Sequence, residues 1–201
     1  MRVKPAFLVV SACLALGACL TPTTDPQRLP AGEWALDPAH ASLTWQVRHM
    51  GLSWYTGRFD TLDARLDFDP ARPEAAQLTA ILDPASISTG DPAFDAALAA
   101  DWFHAGRHPQ IVFNSSAIEI TGETTGRVTG DLTLNGVTAP VTLDVTFNGG
   151  LTSLIEGRPA IGFSAAGSLD RDTFNVGNLP HSIVGPTVRI LIEAEFLREG
   201  D

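Results

Sequence analysis

Lysine is almost absent from the sequence, and acidic residues outnumber basic ones. The 201-residue chain has 13 basic and 23 acidic residues and a net charge of −10, and its single lysine is Lys4. An acidic surface repels nucleic acids and anionic lipid headgroups, so nucleic-acid binding is not expected. Because no lysine follows Lys4, chemistry that needs a Schiff base or a catalytic lysine is excluded for the rest of the chain.

Cysteine and long apolar runs are also scarce. The two cysteines are Cys13 and Cys19, and after them no apolar stretch approaches the roughly 20 residues of a membrane-spanning helix. At the start of the chain, Arg2 and Lys4 precede an uncharged apolar segment, residues 6–16, which is the layout of a secretion signal. We therefore predict an exported protein without an integral membrane segment.

The end of this signal, Leu16-Gly17-Ala18-Cys19, resembles the lipobox of bacterial lipoproteins. The resemblance implies removal of residues 1–18 and lipidation of the Cys19 sulfur, which would hold a periplasmic protein on a membrane. The alternative, an ordinary signal peptide, would leave Cys19 as an unpaired thiol in an oxidising compartment. Leu20, rather than Asp, follows the cysteine, which by the rule of enteric bacteria favours the outer membrane over the inner membrane.

The segment that follows the signal is rich in proline and threonine. Residues 19–32 contain three prolines and almost no aliphatic bulk, so we predict a flexible tether there. The remaining residues, 33–199, are enough for one domain with one core.

Alternation of apolar and polar residues with a period of two dominates this domain. The clearest alternating segments are 43–49, 62–68, 111–115, 128–134, 141–147, 161–167 and 188–196. One apolar face per strand favours antiparallel pairing, and Asn135-Gly136 and Asn148-Gly149-Gly150 are typical of tight hairpin turns. With short strands near Trp34 and over residues 78–82, the sequence predicts an all-β antiparallel barrel of eight or nine strands. Such an interior is filled by side chains or holds one small ligand.

One stretch, residues 91–103, departs from this rhythm. Asp91 and Pro92 form a helix start signal, and the alanines that follow favour helix. We predict one short helix across the barrel or one of its mouths. It acts either as a plug that seals the barrel or as a lid that admits a ligand.

About residues 33–197 also resemble the YceI-like family of bacterial envelope proteins. The segments that carry the resemblance are Trp34–Ser42, Val47–Gly51, Gly57–Phe59, Ile87–Gly90, Asp101–Phe103, His108–Phe113, Val128–Thr138 and Leu169–Phe174. The resemblance implies an extended, lipocalin-like barrel with an apolar tunnel that binds polyisoprenoid chains or isoprenoid quinones. Ala41 stands where the family usually has Ser, and His108 where it often has Phe or Tyr, so the apolar lining carries over better than polar contacts.

The predicted tunnel lining combines the inward phase of the strands with this resemblance. Its residues are Trp45, Val47, His49, Leu66, Phe68, Phe103, Phe113, Leu132, Phe163, Ile190 and Ile192. The alternative is that these and the other aromatic residues, Trp54, Phe59 and Trp102 among them, pack as a filled core. His49 is either a core residue or a hydrogen-bond donor to a ligand headgroup, whereas Arg48 is out of phase and is expected to face solvent.

No metal site or catalytic residue is predicted. His104 and His108 are four residues apart, but Gly106 and Pro109 argue against the helix that would make them joint metal ligands. Asp37, His40 and Ser42 supply the residue types of a catalytic triad, but residue types alone do not supply its geometry.

We therefore expect a non-catalytic protein that binds or carries an amphipathic isoprenoid lipid or isoprenoid quinone in the bacterial envelope. No cofactor is required, and its partners are the lipid, the membrane that holds Cys19 and an envelope redox protein. The first alternative is a structural or accessory protein of an envelope redox or stress-response complex, with a filled barrel. The second is an enzyme that acts on a lipid, which would need paired titratable groups inside the barrel.

Overall fold

The computed structural model describes residues 21–200, so residues 1–18 and the predicted lipidation site Cys19 lie outside the described part. The described residues contain ten strands: β1 (Gly32–His49), β2 (Ser53–Phe59), β3 (Leu62–Phe68), β4 (Gln77–Leu82), β5 (Ile87–Ser88), β6 (Ile111–Ile120), β7 (Thr125–Leu134), β8 (Val137–Thr152), β9 (Pro159–Asp170) and β10 (Val184–Arg198). The α-helix of this part of the chain, α1 (Pro92–Ala97), continues into a π-helical turn, Leu98–Trp102. Within residues 21–200, no helix is long and apolar enough to cross a bilayer.

Eight of the strands close into an antiparallel barrel. Their order is β1-β3-β4-β6-β7-β8-β9-β10, and β10 pairs with β1 to complete the circle. The first residues of β1 pair with β3, while its last seven pair with β2, which in turn pairs with β5 outside the circle. The predicted all-β barrel of about eight strands with one short helix is confirmed.

The apolar residues of the alternating pattern face the inside of the barrel, and the polar residues between them face the outside. In β7, Val128, Leu132 and Leu134 are buried, while the threonines between them form cross-strand pairs on the outer face. The hydroxyls of Thr129 and Thr142 are 2.9 Å apart, as expected for a stabilising cross-strand pair. Apolar burial and outer-face hydrogen bonding thus select the same register.

The two predicted glycine turns have different outcomes. Asn135 and Gly136 join β7 to β8 with φ values of 51° and 75°, so this tight hairpin turn is confirmed. The turn predicted at residues 148–150 is wrong, because β8 continues to Thr152 through a bulge at this point. A Cβ on Gly149 would lie 3.0 Å from the Thr23 carbonyl oxygen, so glycine is needed here for a close approach of another segment.

That segment comprises residues 21–31, which we call the strap. Thr23 pairs with Gly150 through two backbone hydrogen bonds of 2.8 and 2.9 Å, and Leu29 packs against the buried core. The strap lies where β8 runs beyond its last pairing with β7, and so covers an edge that β7 does not reach. Part of the segment predicted as a flexible tether therefore contacts the barrel.

The predicted helix over residues 91–103 is present as α1 and the π-helical turn. The Asp91 carboxylate accepts hydrogen bonds from the backbone N–H groups of Ala93 and Phe94, at 3.0 and 3.3 Å. Leu98 is buried, and the ring of Phe103 packs edge-to-face on Phe59 with centroids 5.4 Å apart. The helix therefore lies over one end of the barrel.

Candidate ligand-binding site

Two apolar cavities lie in series inside the barrel. One has a volume of about 280 Å³ and the other about 270 Å³. Four side chains line both cavities: Leu43, Leu82, Leu132 and Ile190. We call the cavity next to the strap the strap-end cavity and the one beneath α1 the helix-end cavity. Together they form an elongated apolar space along the barrel.

The strap-end cavity is bounded by the ends of strands β6 and β7. Its mouth is bordered by Pro26 of the strap, by Pro73, by residues 122–124 of the β6–β7 turn and by Thr125 at the start of β7. Its walls are aliphatic and aromatic, and Glu123 is the single charged residue among the described residues that line it. An apolar wall with so few polar groups matches a ligand whose buried part is hydrocarbon.

The helix-end cavity lies beneath α1 and the π-helical turn. Phe94, Leu98 and Phe103 line it from the helical side, and Phe94 contacts Tyr55 edge-to-face with centroids 6.0 Å apart. His49 and Tyr55 are the polar residues at its rim. The helix thus borders a cavity instead of filling it.

All eleven predicted lining residues border one or both cavities. Leu66, Phe68, Phe113, Phe163 and Ile192 line the strap-end cavity; Trp45, Val47, His49 and Phe103 line the helix-end cavity; Leu132 and Ile190 line both. Their role as ligand contacts stays a prediction. His49 is exposed at the rim, which places it within reach of solvent and not deep in the core.

Trp54, which the sequence offered as a core aromatic, lies outside the cavities. Its ring contacts two guanidinium groups: the Cζ atom of Arg189 lies 3.8 Å from the ring centroid, and that of Arg48 lies 5.1 Å from it. Arg48 also donates a hydrogen bond to the Gly51 carbonyl. The sequence correctly predicts Arg48 to be out of phase with the interior, but the same alternation also directs Trp54 outward.

Arg171 is a structural residue that the sequence reasoning missed. The residue is only 2 % exposed, and its side chain donates hydrogen bonds to five backbone carbonyls. These belong to Val176, Gly177, Leu179, Val184 and Gly185, at 2.6–3.2 Å. Since Val176 and Val184 also line the helix-end cavity, Arg171 holds part of that cavity wall. The one signal in the sequence was its place in the Leu169–Phe174 segment of the family resemblance.

A hydrogen bond between an aspartate and a histidine spans a large bulge in β1. Leu36 pairs with Phe196 and Ala41 with Ala194, so residues 37–40 stand opposite a single residue of β10. His40 Nδ1 lies 2.8 Å from the carboxylate of Asp37. The hydrogen bond from His40 lowers the pKa of Asp37, and the hydrogen bond to Asp37 raises the pKa of His40.

The same bulge is the candidate metal site of the described residues. Donor atoms of Asp37, His40 and Glu195 lie within 4.8 Å of one another. The hydrogen bond between Asp37 and His40 already accounts for two of the three groups. Ser42, the third residue of the triad considered above, pairs with Glu193 on β10 and makes no hydrogen bond with His40. The bulge therefore shows a structural ion pair.

These features define a class: a closed, lipocalin-like antiparallel barrel with apolar internal cavities. The YceI-like domain matches residues 34–196, which is most of the chain, so the protein belongs to the YceI-like domain family.

Similar proteins agree with this assignment. A UPF0312 protein of Pseudomonas putida (strain W619) is 37 % identical over 178 residues, which cover 87 % of each chain. The crystal structure of Burkholderia cenocepacia BcnA is similar with a TM-score of 0.72 and 29 % identity, covering 80 % of this chain and 98 % of BcnA. A polyisoprenoid binding domain from Saccharophagus degradans shares the fold, with a TM-score of 0.59 and 14 % identity over 84 % of this chain and 99 % of that domain.

Proposed function

We propose that this protein binds or carries an amphipathic isoprenoid lipid or isoprenoid quinone and catalyses no reaction. The observation that carries the proposal is the pair of contiguous apolar cavities. The S. degradans barrel of the same fold is described as a polyisoprenoid binding domain, which supports the same class of ligand here. A barrel with this much internal space does not favour the alternative of an accessory protein with a filled interior.

The shape and polarity of the cavities fit a prenyl chain. Two cavities in series suit a long, narrow ligand better than a compact one, and their walls offer hydrocarbon instead of hydrogen-bonding groups. Burial of about 300 Å² of ligand surface would contribute about 7.5 kcal/mol at 25 cal/mol per Å². Part of this is offset by the lost freedom of the ligand, so micromolar or tighter binding needs the chain to extend through both cavities.

The polar end of the ligand would lie at a cavity mouth. At the helix-end rim, the His49 imidazole and the Tyr55 hydroxyl can each donate one hydrogen bond to a carbonyl or hydroxyl oxygen. Arg171 is not available to bind a headgroup, because its guanidinium already donates hydrogen bonds to five backbone carbonyls. We therefore assign headgroup contacts to His49 and Tyr55.

The proposal that the protein catalyses no reaction rests on the ionisable groups that line the cavities. Glu123 borders the strap-end cavity, and His49, Tyr55 and Arg171 border the helix-end cavity. No hydrogen bond pairs two of these side chains, whereas nucleophilic catalysis needs a nucleophile that is activated, for example by an adjacent base. The ligand is therefore bound and released unchanged.

The proposed place of action is the periplasmic face of a bacterial membrane, with the protein held there by lipidated Cys19. Three features support it: the signal-like start, the cysteine that follows small residues, and the lack of any other cysteine after residue 18. A quinone ligand would make an envelope redox protein the natural partner.

The test is mass spectrometry of an organic extract from the purified Cys19→Ser protein, expressed in the periplasm. The expected result is about one prenyl lipid or quinone per chain. In Leu132→Trp, the larger ring would block the junction of the two cavities and reduce the yield at least fivefold. Asp131→Trp, one residue earlier on the outer face, is the matched control and should retain the lipid. An empty wild-type extract that also takes up no added quinone would refute the proposal.

A further inference from the structure

The tip of the β8–β9 hairpin displays two large aliphatic side chains to solvent. Leu154 is 73 % exposed and Ile155 is 88 % exposed. The turn that carries them is ordered by backbone hydrogen bonds from Ser153 to the Arg158 carbonyl and from Gly157 to the Ser153 carbonyl, both 2.9 Å. These two adjacent aliphatic side chains form an exposed apolar patch on an ordered turn. No other segment of the described residues covers this patch.

This hairpin tip lies beside the segment that leads to Cys19. Thr23 of the strap is paired with Gly150, three residues before the turn, and Pro22 and Ile155 border the same surface cleft. Cys19 precedes Thr23 by four residues, and an extended chain spans at most about 3.5 Å per residue. A lipid attached at Cys19 is therefore held within about 14 Å of Thr23.

The mouth of the strap-end cavity is at this same end of the barrel. Pro26 of the strap borders the mouth, as does Ile120, which is 50 % exposed at the end of β6. The exposed residues Met50 and Leu52 are at the other end, beyond the last residue of β1. At about 3.3 Å per residue, and with its bulge discounted, β1 runs for about 45 Å along its length between the two ends.

We propose that the strap end of the barrel rests on a phospholipid bilayer, with Leu154 and Ile155 inserted and the strap-end cavity open toward the membrane. The proposal rests on the lipid-anchored binding function above. The occupant is a bilayer because the same end carries the attachment point, the exposed aliphatic pair and the cavity mouth. Glu156 and Arg158 have opposite charges, so the turn itself, residues 153–158, carries no net charge.

In this orientation a hydrophobic ligand passes between the bilayer and the barrel without crossing water. The helix-end cavity, its rim residues His49 and Tyr55, and α1 then point away from the membrane. The strap end serves exchange with the bilayer, and the helix end is the side available to a soluble partner.

The test places a fluorophore at either end of the lipidated protein. With Cys19 modified, Leu154→Cys and Leu52→Cys each provide a single labelling site at an exposed position. The proteins are reconstituted in vesicles of phosphatidylethanolamine and phosphatidylglycerol, with and without brominated acyl chains. We expect at least threefold quenching of the probe at residue 154 and none at residue 52. Equal quenching at both sites, or quenching at residue 52 alone, would overturn the proposal.

A second experiment measures the exchange route itself. The double variant Leu154→Ser, Ile155→Ser should take up ligand from vesicles at least threefold more slowly, with unchanged uptake from detergent micelles. Leu52→Ser is the control and should match the wild type. An unchanged rate from vesicles counts against the proposal. Quenching at residue 154 in a protein with an empty lipid extract would support the membrane orientation and refute the ligand, so the two failures are distinguishable.

Discussion

Replacement of Arg171 by Met should destabilise the protein strongly. The side chain is 2 % exposed, and Met fills a similar volume without donating a hydrogen bond. Five carbonyls would lose their donor; the hydrogen bonds to Val176 and Val184 are buried, whereas those to Gly177, Leu179 and Gly185 are partly accessible to water.

The magnitude follows from the two buried carbonyls, because the other three can be hydrated. An unsatisfied buried acceptor costs about 1–3 kcal/mol, so Arg171→Met should reduce the free energy of unfolding by roughly 2–6 kcal/mol. Arg171→Lys should recover only part of this, since one ammonium cannot reach carbonyls arranged around a planar guanidinium.

The assay is urea unfolding followed by tryptophan fluorescence and far-ultraviolet circular dichroism. The control is Arg189→Met, which removes an exposed arginine from the face of Trp54 and should cost less than about 1 kcal/mol. Equal losses for the two variants, or a loss below about 1 kcal/mol for Arg171→Met, would show that the five hydrogen bonds are not what holds this wall of the helix-end cavity.

Other changes test the bulge and the strap. Asp37 raises the pKa of His40 above its usual 6.5. The stabilisation from this pair is therefore lost as the pH rises through the pKa of folded His40. Above that pH, the urea concentration at the unfolding midpoint should fall in the wild type but not in His40→Ala. A pH dependence that is identical in the two proteins would exclude the ion pair as its source. Gly150→Val places a Cβ 2.7 Å from Leu29, so the strap should detach and trypsin should cleave after Arg28 at least tenfold faster. Gly106→Val, at an open position without a positive φ that follows the π-helical turn, is the control and should leave that rate unchanged. Equal cleavage rates for all three proteins would show that the strap is not held by Gly150.

The barrel could be predicted from the sequence because the residues of each strand indicate a strand by themselves. In β7 and β10 the alternation of apolar and polar residues is local, and it selects the inner face whatever the partner strand is. The hairpin at Asn135-Gly136 and the N-cap at Asp91 are also local signals with a fixed geometry. These elements needed no knowledge of distant contacts.

The wrong and missed features depend on distant contacts instead. Gly149 and Gly150 were the basis for predicting a turn. Glycine occupies these positions because the strap, which lies more than 100 residues earlier in the chain, approaches them closely. Arg171 gave no local signal, because its carbonyl partners lie up to 14 residues further along the chain. A hydrophobic pattern also cannot distinguish a filled barrel from a hollow one, since that depends on how the side chains of eight strands meet.

Binding of a series of isoprenoid quinones with increasing tail length tests the central claim most directly. Calorimetric titration of the delipidated Cys19→Ser protein should give one site per chain. Affinity should rise with each added prenyl unit, at up to about 0.8 kcal/mol per buried methylene, and level off once both cavities are occupied. The heat-capacity change should become more negative over the same range of lengths. Affinity that is independent of tail length would contradict an interior site for the chain.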